Sequence, residues 1–166
     1  LFEKDPIDAK IPFRWVICGR NPMLPGESQK SRGWETLGPQ IGICGHGNPA
    51  SHFGPEISMA RKLAKAGKQV AVLKVTIGAS SLYGDWRLPD QEGLTDDLLA
   101  EARAALADLY QAGRQAKICG FIWIQGESDA DSDKHAREFK SRLTQLIAGL
   151  REAWNEPGLP VILGVD

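Results

Sequence analysis

From Gln69 onward, apolar runs of strand length alternate with longer segments in which apolar residues recur at helical spacing. Residues 69–77, 118–125 and 160–165 read as three strands. They are continuously apolar and do not alternate, which is the pattern of central strands of a parallel sheet covered on both faces. Between the first two, Leu94, Leu98, Leu99, Ala102, Ala105, Leu106, Leu109 and Tyr110 form a helical stripe that stops at Gly113. Between the last two, Phe139, Leu143, Leu146, Ile147, Leu150 and Trp154 form another, with Asp131, Ser132 and Asp133 available to cap its start. An earlier helix is predicted over residues 55–66. Pro55 takes its first position, Glu56 favours the positive end of the dipole, and Gly67 follows its end. Ile57, Ala60, Leu63 and Ala64 are its predicted buried face.

Residues 1–53 differ in texture. Their one apolar run, Trp15-Val16-Ile17-Cys18, stands among glycines and prolines, so the segment reads as irregular with a single strand. An irregular stretch of that length inside a compact domain is usually either functional or a sign of an unrecognised element. No internal repeat or linker divides the chain, which therefore reads as a single domain over residues 1–166.

Composition narrows the function classes. The 18 glycines and 10 prolines in 166 residues imply long, specifically shaped loops. Twenty basic and 21 acidic residues give a formal charge of −1, with no basic tract to follow a phosphate backbone, so nucleic acid is not an expected partner. No apolar stretch reaches about 18 residues, so no membrane span is expected. The start, Leu1-Phe2-Glu3-Lys4-Asp5-Pro6, is not a signal peptide. Three cysteines cannot build a disulfide framework. A Cys18–Cys44 pair is left open, and Cys119, within an apolar run, reads as a buried small hydrophobe.

In an open parallel sheet, ligands sit beyond the carboxyl ends of the strands, which directs attention to the segments after Ile77 and at Gln125. The first runs Gly78-Ala79-Ser80-Ser81-Leu82-Tyr83-Gly84-Asp85-Trp86, and glycine there allows close backbone approach. The second runs Gln125-Gly126-Glu127-Ser128-Asp129-Ala130, with a side-chain amide at the end of a strand.

Together with His52-Phe53-Gly54-Pro55-Glu56-Ile57, the blocks Lys74 to Leu82 with Asp85-Trp86, and Ile122 to Ala130, resemble the sialate O-acetylesterase and family-six carbohydrate (acetylxylan) esterase branch of the SGNH hydrolases. Three motifs in order over residues 34–166 carry more weight than one alone. The resemblance implies a three-layer, flavodoxin-like α/β fold: a parallel sheet with helices on both faces, here without its first strand. It implies a serine-type carboxylic ester hydrolase acting on O-acetylated sugars, without metal or organic cofactor, and favours a secreted or periplasmic location. The alternative is a non-catalytic carbohydrate-binding or structural remnant of the same fold.

By the same resemblance, Gly78 and Gln125 supply the oxyanion donors. A preorganised donor aimed at a developing oxyanion is worth about 3 kcal/mol or more. Glu127, Asp129 and Glu56 are supporting residues, and Glu127 and Asp129 read first as braces that accept backbone N–H groups. Trp86, Ser80 and His52 are candidates for substrate contact, with Trp86 able either to stack on a sugar or to plug the core. Gly78-Ala79-Ser80 replaces the family's usual Gly-Gly-Thr, adding a methyl after the oxyanion glycine. The family's nucleophile motif, Gly-Gln-Ser-Asn-Met, and its late Asp-x-x-His are not in the sequence. The expectation is a domain truncated at both ends, with the serine before Leu1 and the histidine after Asp166.

Three competing readings concern the same segments. Gly126-Glu127-Ser128-Asp129-Ala130 imitates a nucleophile elbow, with Ser128 attacking and His46, His52 or His135 as base. Gly42-Ile43-Cys44-Gly45-His46-Gly47 superficially imitates a phosphate loop, but its glycines are in the wrong order. Cys44 and His46 lack a second Cys/His pair at zinc spacing.

Overall fold

A computed structural model of the chain describes residues 2–17, 29–40, 53–88 and 91–164. They form two compact units that divide after Gly78. Each contains a pair of parallel strands joined through a helical connection, the arrangement expected where strand-length apolar runs flank a helical stripe.

The first unit opens with a 3₁₀ turn, Pro6–Lys10, then β1 (Pro12–Ile17), β2 (Gln29–Lys30), β3 (Glu35–Thr36), α1 (Pro55–Lys65) and β4 (Val72–Thr76). Strand β1 pairs in parallel with β4, Phe13 opposite Val72 through Ile17 opposite Thr76, and antiparallel with the short β2 and β3. Phe13, Trp15 and Ile17 point to one face of β1 and pack with Ile11, Leu37, Ile57, Ala60 and Val72. The turn is closed by a reciprocal cap. Asp5 accepts from the Ile7 N–H, and the Asp5 N–H donates to Asp8.

The second unit contains α2 (Leu94–Gln111), β5 (Phe121–Ile124), the single turn α3 (Glu127–Ala130), α4 (Asp133–Ala153) and β6 (Val161–Gly164). Strands β5 and β6 run parallel, Phe121 opposite Val161 through Ile124 opposite Gly164. Leu98, Ala102, Ala105 and Leu109 are buried along α2, and Leu143, Leu146 and Leu150 along α4. Trp86 meets Trp123 edge-on at 5.2 Å, and Phe121 meets Trp154 at 6.0 Å.

The three long helices end alike. After α1, Lys68 N–H donates to Leu63 and Gly67 N–H to Ala64. After α2, Arg114 donates to Leu109 and Gly113 to Tyr110. After α4, Glu156 donates to Arg151 and Asn155 to Glu152. Gly67, Gly113 and Asn155 sit at φ +78°, +72° and +52°. These are Schellman closures, in which a left-handed residue lets the chain satisfy the last carbonyls.

Several expectations are corrected. Among the described residues of the first 53 there are a 3₁₀ turn and three strands where one strand was expected. The later strands are shorter than their apolar runs, and Cys119, predicted buried, is exposed ahead of β5 because pairing begins at Phe121. On β5 and β6 the burial expected of central strands is incomplete among the described residues, with Ile124 54% and Ile162 59% exposed. Leu63 and Tyr110 are exposed: Tyr110 is rotated about 100° from the neighbouring buried Leu109, whereas Leu63 falls in the last turn of α1, beyond the buried Glu56, Ile57 and Ala60. Ser132 takes the N-cap position of α4 without a side-chain cap bond. Among the described residues no helix is long and apolar enough to cross a membrane. The Cys18–Cys44 pair, the Gly42–Gly47 segment, His46 and His52 lie outside the described residues.

Candidate functional site

Strand β5 ends at Ile124, and the chain then turns through Gln125 and Gly126 into α3. The turn brings the Asp129 carboxylate, 1% exposed, under the segment that begins at Ser80. Asp129 Oδ2 accepts from the Leu82 N–H at 2.7 Å and from Gln125 Nε2 at 2.8 Å, and Oδ1 accepts from the Tyr83 N–H at 2.9 Å. Gln125 Nε2 also donates to the Ser80 carbonyl at 2.9 Å. Three of these bonds tie two sequence-distant loops together, and the fourth, Gln125 to Asp129, braces the turn itself. Three donors on a carboxylate replace the hydration it loses, each bond to the charge being worth roughly 1.5–3 kcal/mol.

The loop carries its own supports. Asp85 Oδ2 accepts from the Ser81 N–H and hydroxyl, and the Ser81 hydroxyl oxygen accepts from the Gly84 N–H. The Asp85 carbonyl accepts from the Leu94 N–H, which ties the loop to the start of α2. Gly93 is needed there, since a Cβ on it would meet the Asp85 carbonyl oxygen at 2.7 Å. The left-handed position of the loop is not Gly78 but Ala79, at φ +56°. This is the position at which the resembling family usually has its second glycine.

Trp86 packs inward in this structure. Its indole N–H donates to Ser80 Oγ at 3.0 Å, its ring meets Trp123, and both Trp86 and Ser80 are buried. Glu127 and Asp129 separate in character. Glu127 is exposed and accepts only from the N–H of its neighbour Gly126, whereas Asp129 is interior. His135 stacks on the Tyr83 ring at 4.0 Å, with the Arg142 guanidinium 4.1 Å from the same ring and the Lys134 ammonium hydrogen-bonded to the Tyr83 hydroxyl. That bond, first among the causes, raises the Lys134 pKa above the ordinary lysine value. Among the described residues the ring partner of His135 is Tyr83.

In the first unit, Glu56 does more than complement a helix dipole. Its Oε1 accepts from the Gly54 N–H and from Lys74 Nζ, both at 2.8 Å, and both charged side chains are largely buried. A Cβ on Gly54 would lie 2.8 Å from Glu56 Oε2. The sequence held the signal in Lys74, a charge inside an otherwise apolar strand, which required a partner. Gly78 is exposed at the end of this unit. Among the described residues no three His, Cys, Asp or Glu side chains are grouped to hold a metal ion.

A family model described as carbohydrate esterase, sialic acid-specific acetylesterase, matches residues 27–165. An X-ray structure of a protein from Arabidopsis thaliana superposes with a TM-score of 0.62 at 18% identity, covering 97% of this chain and 60% of the Arabidopsis chain. That likeness is one of fold, and this chain spans about 60% of the length of the plant protein. No curated protein matches. Because the family match takes in both the Gly78 segment and the Gln125 turn, the chain belongs to the carbohydrate esterase, sialic acid-specific acetylesterase family.

Proposed function

We propose that the protein containing these residues hydrolyses O-acetyl esters of sugars by acyl transfer to a serine, within the sialate O-acetylesterase or family-six branch and on a three-layer SGNH fold. The observation that carries this reading is the family match over residues 27–165, which includes each motif block from Pro55 onward. A serine outside these residues attacks the acetyl carbonyl, and a histidine, also outside them, accepts its proton and returns it to the departing sugar oxygen. Water then releases acetate. Each half-reaction passes through a tetrahedral oxyanion, for which the Gly78 N–H and the Gln125 side-chain amide are the proposed donors. The amide does this without titrating, so the donor keeps its strength across the working pH range. No metal or organic cofactor takes part.

The test uses the full-length protein with p-nitrophenyl acetate and O-acetylated sugars. Gln125→Ala is expected to lower kcat about a hundredfold while KM changes little, the signature of a contact made mainly in the transition state. Unchanged turnover removes Gln125 from the mechanism. Binding of acetylated sugars with no turnover by the wild type would favour the non-catalytic alternative.

A further inference from the structure

We propose that Asp129 is the positioning residue that holds the Gln125 amide as a donor, and that substrate displaces the Ser80 bond of this amide while the Asp129 bond stays in place. The inference rests on the reading of Gln125 as an oxyanion donor.

Both hydrogens of Gln125 Nε2 are committed, one to the Ser80 carbonyl and one to Asp129 Oδ2. The two acceptors fix which end of the amide is nitrogen, while the other end, Oε1, is buried with no hydrogen-bond partner among the described residues. An arrangement that leaves a carbonyl oxygen unsatisfied persists only if the nitrogen end is held strongly. The buried carboxylate does this, because a bond to a charged acceptor is roughly twice as strong as one to a neutral carbonyl. An incoming oxyanion needs one N–H, and the weaker Ser80 bond is the one it can exchange. Asp129 spreads its charge over Leu82, Tyr83 and Gln125, which limits its repulsion of a second anion nearby.

Asparagine at 129 has nearly the same shape but no charge, and whichever way it turns its NH₂ group faces a donor, the Tyr83 N–H on one side or the Leu82 N–H and Gln125 Nε2 on the other. The Gln125 amide then loses the charged acceptor that holds its nitrogen end in place.

In the full-length protein, Asp129→Asn is expected to lower kcat about as far as Gln125→Ala, roughly a hundredfold, with KM within about threefold. The double variant should be no slower than either single one, because both remove the same donor. A purely structural Asp129 predicts effects that multiply, and that result overturns the proposal. So does an Asp129→Asn enzyme within threefold of wild type.

Nuclear magnetic resonance of the unmodified protein supplies a readout that needs no variant to fold. Both Gln125 side-chain amide protons should exchange slowly, and a phosphonate transition-state mimic should shift one of them strongly and leave the other. Shifts of both protons, or of neither, contradict the exchange of bonds. If Gln125→Ala leaves kcat unchanged, the esterase role of Gln125 fails, while slow exchange of both protons still reports on the clasp itself.

Discussion

Arg61 on α1 grips Asp8 of the N-terminal turn with two parallel bonds, Nε to Oδ1 and Nη2 to Oδ2, each 2.7 Å long and spanning 53 residues of sequence. The same guanidinium donates to the Glu3 carbonyl and lies 5.1 Å from the centre of the Phe2 ring. This is the fork geometry that arginine provides and lysine does not.

The pair predicts an acid-sensitive first unit. The Arg61 hydrogen bond, ahead of all other causes, holds the Asp8 carboxyl below its ordinary range, and the Lys65 hydrogen bond does the same for Asp5. A carboxyl whose folded pKa lies below its unfolded one, about 3.9, gives stability that is fully present above that value and is lost as pH falls through the folded value. Asp8→Asn should therefore melt below wild type at pH 7, and the gap should close as pH approaches 2. Thermal melts across pH 2–7 measure this, and a gap independent of pH would contradict it.

The Glu56–Lys74 pair predicts an asymmetric double-mutant cycle. Lys74→Met leaves a largely buried carboxylate with only the Gly54 N–H and should cost about 3 kcal/mol. Adding Glu56→Gln removes the stranded charge and should restore part of that loss. Denaturant unfolding of the three variants checks the sign, and additive losses would show that the charges do not interact.

Ala79 predicts a stabilising substitution. A left-handed alanine carries about 1–2 kcal/mol of strain, while glycine adds flexibility to the unfolded chain worth about 0.4–1 kcal/mol. Ala79→Gly should gain about 0.5 kcal/mol on balance, and Ala79→Val, β-branched at the same φ, should lose more than 1 kcal/mol. Chemical denaturation resolves both signs.

Gly93 predicts the opposite response to a single methyl. A Cβ would lie 2.7 Å from the Asp85 carbonyl oxygen, which already accepts from the Leu94 N–H. Gly93→Ala should destabilise by about 1–3 kcal/mol, and hydrogen exchange should speed up at Leu94 as that bond lengthens.

Helices were more legible in the sequence than strands. Predicted starts at Pro55 and Leu94 match the structure, because a stripe of several turns with a terminal glycine leaves little freedom of register. Of the N-terminal elements the strand at Trp15 was legible, and the others were not for lack of periodicity: the 3₁₀ turn is too short to show any, and β2 and β3 have two residues each. In the candidate site, Asp129 was readable as a brace from its place on a strand-to-helix turn. Its partners were not, because Leu82 and Tyr83 contribute backbone N–H groups that any residue type would carry. The commitment of both Gln125 hydrogens was equally invisible, since an amide's orientation depends on acceptors that only the folded chain assembles.

The exposed isoleucines of the β5–β6 pair bear on how this polypeptide behaves at concentration. Ile124 and Ile162 stand exposed on short strands, and the net charge is −1. Exposed apolar side chains are sticky, and so small a charge provides little colloidal repulsion near neutrality. Light scattering should rise with concentration at pH 7 and fall as the solution is made alkaline, where the charge grows. Replacing Ile162 with lysine should suppress the rise while leaving the Asp129 clasp undisturbed.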